Sequence, residues 1–264
     1  MEYLLVRGLL GLGRVLPKRA LYGLFEGVAD LLYLADGRRR RLTIDNLQKA
    51  GLDPKLARSS YRQIAKTVAE IVLMWHGRFD FGSIEGEIEF RTDKPKILVL
   101  SHFGNWEALG HFMALQGYKG VGVGREGNNK LIERYITRPF RTMYGNRQVY
   151  KEGAMKHLIK ALKNGENIGL LIDQKAGRAG VDTMFFGRPC KTVPTIALLA
   201  RRFDVEVVPL FLAREGDRFR LIQKEFECEG CDDAAFTQKL NDILEEVVRE
   251  YPDQWFWMHN RWKS

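Results

Sequence analysis

The sequence predicts an α/β fold, a mixed central sheet flanked by helices, preceded by a helical N-terminal layer. Short apolar runs at 96–101, 120–124 and 168–172 alternate with segments of helical spacing, the order that builds a sheet covered by helices. Two more β-rich runs, 205–212 and 219–226, flank Glu215-Gly216-Asp217, a hairpin signal. Residues 1 to about 80 carry only helical periodicity. A chain of 264 residues can bury a sizeable core, and 45% hydrophobic with 28% charged side chains excludes disordered, collagen-like and coiled-coil classes.

Taken in order, the first segment places Arg7, Gly11, Arg14 and Lys18 at i, i+4, i+7 and i+11, one narrow basic stripe on a helix. Leu4, Leu5, Leu9, Leu12, Val15 and Leu16 cover most of the rest, a pattern suited to lying flat in a lipid interface. Interrupting charges leave no window of the roughly 20 uncharged residues that a spanning helix needs. No signal-peptide pattern is clear. Helices follow at about 20–35 and 38–50, the second stopped by Gly51, and Asp53-Pro54 opens another that runs to Trp75. Residues 128–144 and 153–164 read as helices, Pro194 to Phe203 as a short one, and Asp232 and Asp233 cap a last one to about Tyr251.

The net charge of +9 is unevenly spread. Residues 1–66 hold 13 basic and 6 acidic side chains, including the run Arg38 to Arg41, whereas residues 225–250 hold 9 acidic and 2 basic. The basic pole suits an anionic membrane surface, an acidic protein or nucleic acid. Three cysteines point away from a secreted disulfide scaffold and toward a reducing compartment. Cys228 and Cys231, beside Glu225, Glu227 and Glu229, read as unreactive thiols, since acidic neighbours raise a thiol pKa. Cys190 reads as a loop thiol with no activator.

The sharpest chemical feature is Ser101-His102-Phe103-Gly104-Asn105-Trp106-Glu107. It sets an imidazole just after an apolar strand, where α/β proteins place ligand sites, with a carboxylate in the first turn of the next helix. Across a tight turn Glu107 can fix the tautomer of His102 and stabilise its protonated form. Asp173-Gln174-Lys175 follows one strand-like run and Arg125 another, so three strand ends converge on one sheet edge. Ser101 lacks the glycines of a nucleophile elbow. No third ligand stands at convincing spacing for zinc beside His102 and Glu107. Gly120-Val-Gly-Val-Gly124 has neither Rossmann spacing nor the polarity of a phosphate cradle, and reads as a strand passed closely by another group. The tail Trp255-Phe-Trp-Met-His-Asn-Arg-Trp262, with Arg261 and Lys263, reads as closing a core or lining an apolar tunnel rather than stacking bases.

Together these residues resemble the bacterial lipid A late acyltransferases, the lauroyl/myristoyl transferases of the His-x4-acid acyltransferase superfamily. SHFGNWEALG is similar to the catalytic block, with His102 and Glu107 in the dyad positions, and GLLIDQKAGRAGVDTMFFGRP to a second block containing Asp173. REGNNKLIE and YPDQWFWMHNRWK resemble an arginine-containing segment and the characteristic ending. The resemblance spans nearly the whole chain. It implies a glycerolipid-acyltransferase-like fold, with residues 1–80 a membrane-associating helical region and residues 81–264 the catalytic domain. It implies transfer of a fatty acyl chain from acyl carrier protein or coenzyme A thioester to a hydroxyl of a lipid A precursor, at the cytoplasmic face of the inner membrane. His102 would be the general base and Glu107 its orienting partner, with no metal, no cofactor and no covalent intermediate. Backbone amides near Gly104 and Asn105 would hold the oxyanion, Arg125 and Arg261 would bind phosphate, and Asp173 and Gln174 would support the site. Many members open with a spanning helix; the interrupted apolar segment here implies monotopic or peripheral attachment. The alternatives are the same chemistry on a glycolipid, ornithine lipid or lysophospholipid, and, more remotely, a non-catalytic basic protein that binds membrane or nucleic acid.

Overall fold

The computed structural model describes residues 1–177 and 179–262. Four helices come first: α1 (Glu2–Val15), α2 (Lys18–Ala35), α3 (Gly37–Lys49) and α4 (Leu56–Trp75). The α/β part follows as β1 (Ile84–Glu85), β2 (Lys96–Leu100), α5 (Trp106–Leu115), β3 (Gly120–Gly124), α6 (Lys130–Ile132), α7 (Arg138–Arg141), β4 (Arg147–Tyr150), α8 (Ala154–Lys163) and β5 (Asn167–Leu171). It ends with β6 (Val181–Phe185), β7 (Arg188–Thr192), α9 (Thr195–Arg202), β8 (Glu206–Glu215), β9 (Arg218–Gln223) and α10 (Asp233–Glu250).

Seven strands form one sheet in the order β1-β9-β8-β2-β5-β3-β4, parallel throughout except for the β8–β9 hairpin. The expected mixed α/β sheet is therefore present and mostly parallel. β2 lies at its centre between β5 and β8, with apolar side chains buried on both faces, as parallel strands require. Ile97, Val99, Val121 and Ile168 pack on one face with Leu158 and Leu162 of α8 and Leu244 and Val248 of α10. Leu98, Leu210 and Leu212 pack on the other with Leu109 and Met113 of α5 and with Leu21, Phe25, Leu73 and Met74 from α2 and α4.

The segment expected as one helix over 128–144 is broken into α6, a π-helical turn at Glu133–Thr137, and α7. Pro139 lacks the N–H that would continue the α ladder, and the N–H of Arg138 reaches back five residues to the carbonyl of Glu133. The hairpin β6–β7 was not expected. Its two turn residues, Phe186 and Gly187, both have positive φ (52° and 66°), as two-residue hairpins of this hand require. Phe186 tolerates that conformation because its N–H donates to Glu245 Oε2 at 2.5 Å and its ring packs between Phe185 and Trp257 under the Arg249 guanidinium. Cys190 lies buried on β7, not in a loop. Cys228 and Cys231 are joined as a disulfide, which corrects their reading as two separate thiols.

No described helix is long and apolar enough to cross a membrane. Leu4, Leu5, Leu9 and Val15 of α1 and Leu24, Val28, Leu31, Leu32 and Leu34 of α2 are exposed. Within the arginine run, Arg40 donates to the carbonyls of Tyr33 and Leu34 and so closes the last turn of α2.

Candidate active site

β2 delivers His102 to the sheet edge. Leu100 and Leu171 are register partners at the ends of β2 and β5, so the residues that follow them, His102 and Asp173, emerge side by side. The His102 Nδ1–H donates to Asp173 Oδ1 and its backbone N–H to Asp173 Oδ2, both at 2.9 Å. Trp255 Nε1–H, from the segment after α10, donates to Oδ2 at 2.9 Å. The turn between β2 and α5 is held by that same segment: Gly104 N–H donates to the Gln254 carbonyl and Phe256 N–H to the His102 carbonyl. Gly104 has φ +53°, and a Cβ there would lie 1.8 Å from the Leu212 carbonyl oxygen, so only glycine fits.

Asp173 is buried at 2% exposure. Burial alone would raise its pKa, but the adjacent imidazole and the three N–H donors outweigh that and hold it below the usual carboxylate range. Burial likewise pushes the His102 pKa down; the charge and hydrogen bond of Asp173, joined by the charge of Glu107, overcome it and leave the imidazole above its ordinary value. With Nδ1 committed, Nε2 is left to take a proton. It sits 3.4 Å from the Gln174 amide nitrogen, and the imidazole as a whole makes a T-shaped contact with the Trp106 ring, 5.1 Å between centroids.

This geometry corrects three expectations. Asp173, not Glu107, orients the imidazole. Glu107 sits in the first turn of α5 and points to Arg141, whose Nη2 and Nε donate to its Oε1 at 2.7 and 3.2 Å. The backbone amides of Gly104 and Asn105 are spent on the carbonyls of Gln254 and Leu212, so they are not an oxyanion hole. Asn105 itself is fully buried: its Oδ1 caps α5 by accepting from Ala108 N–H, and its Nδ2 donates to Glu70. Arg261 is 1% exposed and donates to the carbonyls of Gln174 and Lys191 and to Thr192 and Asn241, so it braces the site and is closed to a phosphate. Trp255 and Trp257 close the core, as the tail pattern predicts, while Lys263 lies outside the described residues.

Three features were not foreseen. Arg141 pairs with Glu107 at the cleft wall, hidden in the sequence by the misread helix. His111, one turn beyond Glu107, is buried with neither ring nitrogen partnered, and burial lowers its pKa to about 4, so it is neutral at pH 7. Arg214 of β8 is a buried hub: its guanidinium grips the Glu70 carboxylate with Nε (2.8 Å) and Nη2 (2.6 Å) and donates to Gln63 and Thr67. Glu70 also accepts from Tyr22 and Asn105, which ties α2, α4 and β8 to the cap of α5.

His102, Glu107, Arg125 and Gln174 all line a cleft of about 640 Å³ over the strand ends. Arg125, Lys151 and Lys175 give it a basic margin, while Leu98, Leu100, Met113 and the glycines of β3 make its depth apolar. Among the described residues no group of three or more His, Cys, Asp or Glu is arranged to hold a metal ion. The arrangement puts a buried carboxylate, an oriented imidazole and an apolar recess in one place, a geometry suited to general-base chemistry on an apolar substrate.

The family described as "Bacterial lipid A biosynthesis acyltransferase" matches residues 1–264. The lipid A biosynthesis lauroyltransferase of Escherichia coli (strain K12) is 26% identical over 88% of this chain and 74% of its own length. The lipid A biosynthesis palmitoleoyltransferase of the same organism and a lipid A biosynthesis acyltransferase of Shigella flexneri are each 24% identical over 80% of this chain and 72% of their own length.

Proposed function

The chain belongs to the bacterial lipid A biosynthesis acyltransferase family and is an acyltransferase, and we propose that it moves a fatty acyl chain from an acyl carrier protein or coenzyme A thioester to a hydroxyl of a lipid A precursor. The observation that carries the mechanism is the His102–Asp173 pair at the lip of an apolar cleft. His102 Nε2 takes the proton of the acceptor hydroxyl while Asp173 holds Nδ1–H and stabilises the imidazolium. The alkoxide attacks the thioester carbonyl directly. The tetrahedral intermediate expels the thiolate, which takes the proton back from His102. No residue is acylated and no metal is called for. Arg141, fixed by Glu107, presents positive charge beside the imidazole where the oxyanion develops. Arg125, Lys151 and Lys175 meet phosphate on the acceptor or donor and the acidic carrier protein.

Residues 1–80 are the membrane-associating region and residues 81–264 the catalytic part. The exposed leucine and valine side chains of α1 and α2, beside Arg7, Arg14 and Arg19, support peripheral docking on an anionic inner-membrane surface.

The test is transfer in detergent or anionic vesicles from acyl carrier protein thioesters to a tetra-acylated lipid A precursor, with His102→Ala in parallel. Wild-type transfer that His102→Ala abolishes supports the proposal. Near-normal turnover by His102→Ala would remove the mechanism. Transfer to a lysophospholipid or glycolipid but not to the lipid A precursor would replace the acceptor and keep the chemistry.

A further inference from the structure

The sheet face under α5 is bare where it meets the cleft. Strand residues alternate between faces, so Gly120, Gly122 and Gly124 of β3 share one. Gly122 is the register partner of Gly169 on β5 and of Gln148 on β4, and Gly169 is the partner of Leu98 on β2. The row across four strands therefore reads Leu98, Gly169, Gly122, Gln148, with its two middle positions empty. At about 4.8 Å between strands the gap is wide enough for an alkyl chain.

Some of these glycines answer to the fold. A Cβ on Gly120 would lie 3.0 Å from the Asn167 carbonyl oxygen, and one on Gly124 would lie 2.6 Å from Gln148 Nε2. Others do not. A Cβ on Gly122, or on Gly110 of the facing helix α5, would meet nothing within 4 Å, and one on Gly169 would meet only Leu100 Cδ1 at 3.6 Å. None of these three has positive φ. Glycine inside a strand or helix weakens it, so conformation and crowding both fail to account for these three. All three line the cleft.

We infer that Gly110, Gly122 and Gly169 keep open the channel that takes the acyl chain, and that Gly122 sets the longest chain accepted. The inference rests on the acyltransfer reading above. Four residue-to-residue steps along β3 carry the strand from Gly124, at the strand tips near His102, to Gly120, a depth of about 13 Å, and Gly122 stands halfway. Met113, Tyr118 and Asn146 line the cleft with Gly120. A side chain at position 122 blocks the lower half and leaves the upper half and the His102–Asp173 pair untouched.

The experiment compares wild type, Gly122→Val and Gly110→Val in detergent across carrier-protein thioesters from short to long acyl chains, with a melting curve for each. For Gly122→Val the expected result is at least about a tenfold loss of kcat/KM on the wild-type enzyme's preferred chain. Shorter chains are retained, so the preference moves down, and Tm is equal to or above wild type. Gly110→Val narrows the channel from the opposite wall and shifts preference in the same direction. An unchanged length profile, an equal loss on every chain, or a Gly122→Val protein that fails to fold would each overturn the inference while wild-type transfer leaves the acyltransferase reading standing. A wild-type enzyme that transfers no acyl chain to any acceptor would overturn both.

Discussion

Asp173→Asn separates the two candidate partners of the imidazole. Two N–H donors, His102 N and Trp255 Nε1, converge on Asp173 Oδ2, and one, His102 Nδ1, points at Oδ1. An asparagine has one acceptor oxygen, and the two converging donors claim it. Its NH2 is then forced against Nδ1, which must become an acceptor. The ring proton moves to Nε2, and the nitrogen that should accept the substrate proton no longer can. The equivalent change in serine-hydrolase triads, where the tautomer is likewise inverted, costs about 10⁴-fold in kcat, and about 10³–10⁴-fold is expected here. Asp173 raises the His102 pKa, and activity requires the neutral ring, so wild-type kcat/KM rises with pH through a value above the ordinary histidine pKa. In the variant that acid limb moves to lower pH. Glu107→Gln removes the partner of Arg141 and some favourable charge but leaves all three bonds to Asp173, so activity falls without a change of tautomer. The assay is kcat/KM against pH together with ¹⁵N NMR of the imidazole. Asp173→Asn within tenfold of wild type with Nδ1 still protonated, or a tautomer switch in Glu107→Gln alone, would refute the reasoning.

Arg214→Met strands the Glu70 carboxylate in the core with only Tyr22 and Asn105 as donors, and should cost about 3–5 kcal/mol in denaturant unfolding; a loss below about 1 kcal/mol would show the network to be dispensable. His111 contributes an acid sensitivity. Its folded pKa of about 4 lies below the unfolded value near 6.5, so between those values the unfolded chain binds more protons and stability falls as pH drops. The contribution is about 2 kcal/mol between pH 7 and pH 5, and urea titrations at the two pH values should show His111→Phe losing correspondingly less than wild type.

Much of the site was legible because strand ends are legible. The apolar runs before His102 and Asp173 mark buried parallel strands, and their adjacency in the sheet brings the two residues together. What failed was the inference from nearness in sequence to nearness in space. Glu107 is five residues from His102, but its place on the first turn of α5 aims it at Arg141; Asp173 is 71 residues away and bonds directly. The amides at Gly104 and Asn105 and the Arg261 guanidinium were expected to meet substrate because spent and free polar groups cannot be told apart in one dimension, and their hydrogen bonds reveal turn closure and bracing. Arg141 was missed because nothing in a helical-looking run marks a π turn except Pro139, and the Arg214–Glu70 pair because its members lie 144 residues apart. The bare Gly169–Gly122 row needed strand register, which apolar alternation alone does not supply.

The segment around Gln254, Trp255 and Phe256 supplies partners to Gly104, Asp173 and His102. These contacts span 82 to 154 residues, so the active centre depends almost wholly on long-range closure, the slowest kind to form. On the ribosome, β2 and its histidine emerge early and wait for a tryptophan made some 150 residues later, about ten to thirty seconds at bacterial elongation rates. Through that interval the growing chain carries the exposed leucines of α1 and α2 and a histidine whose orienting carboxylate is not yet fastened. On the membrane docking proposed for α1 and α2, attachment would precede catalytic competence, and the active centre would be completed with the chain already at the bilayer.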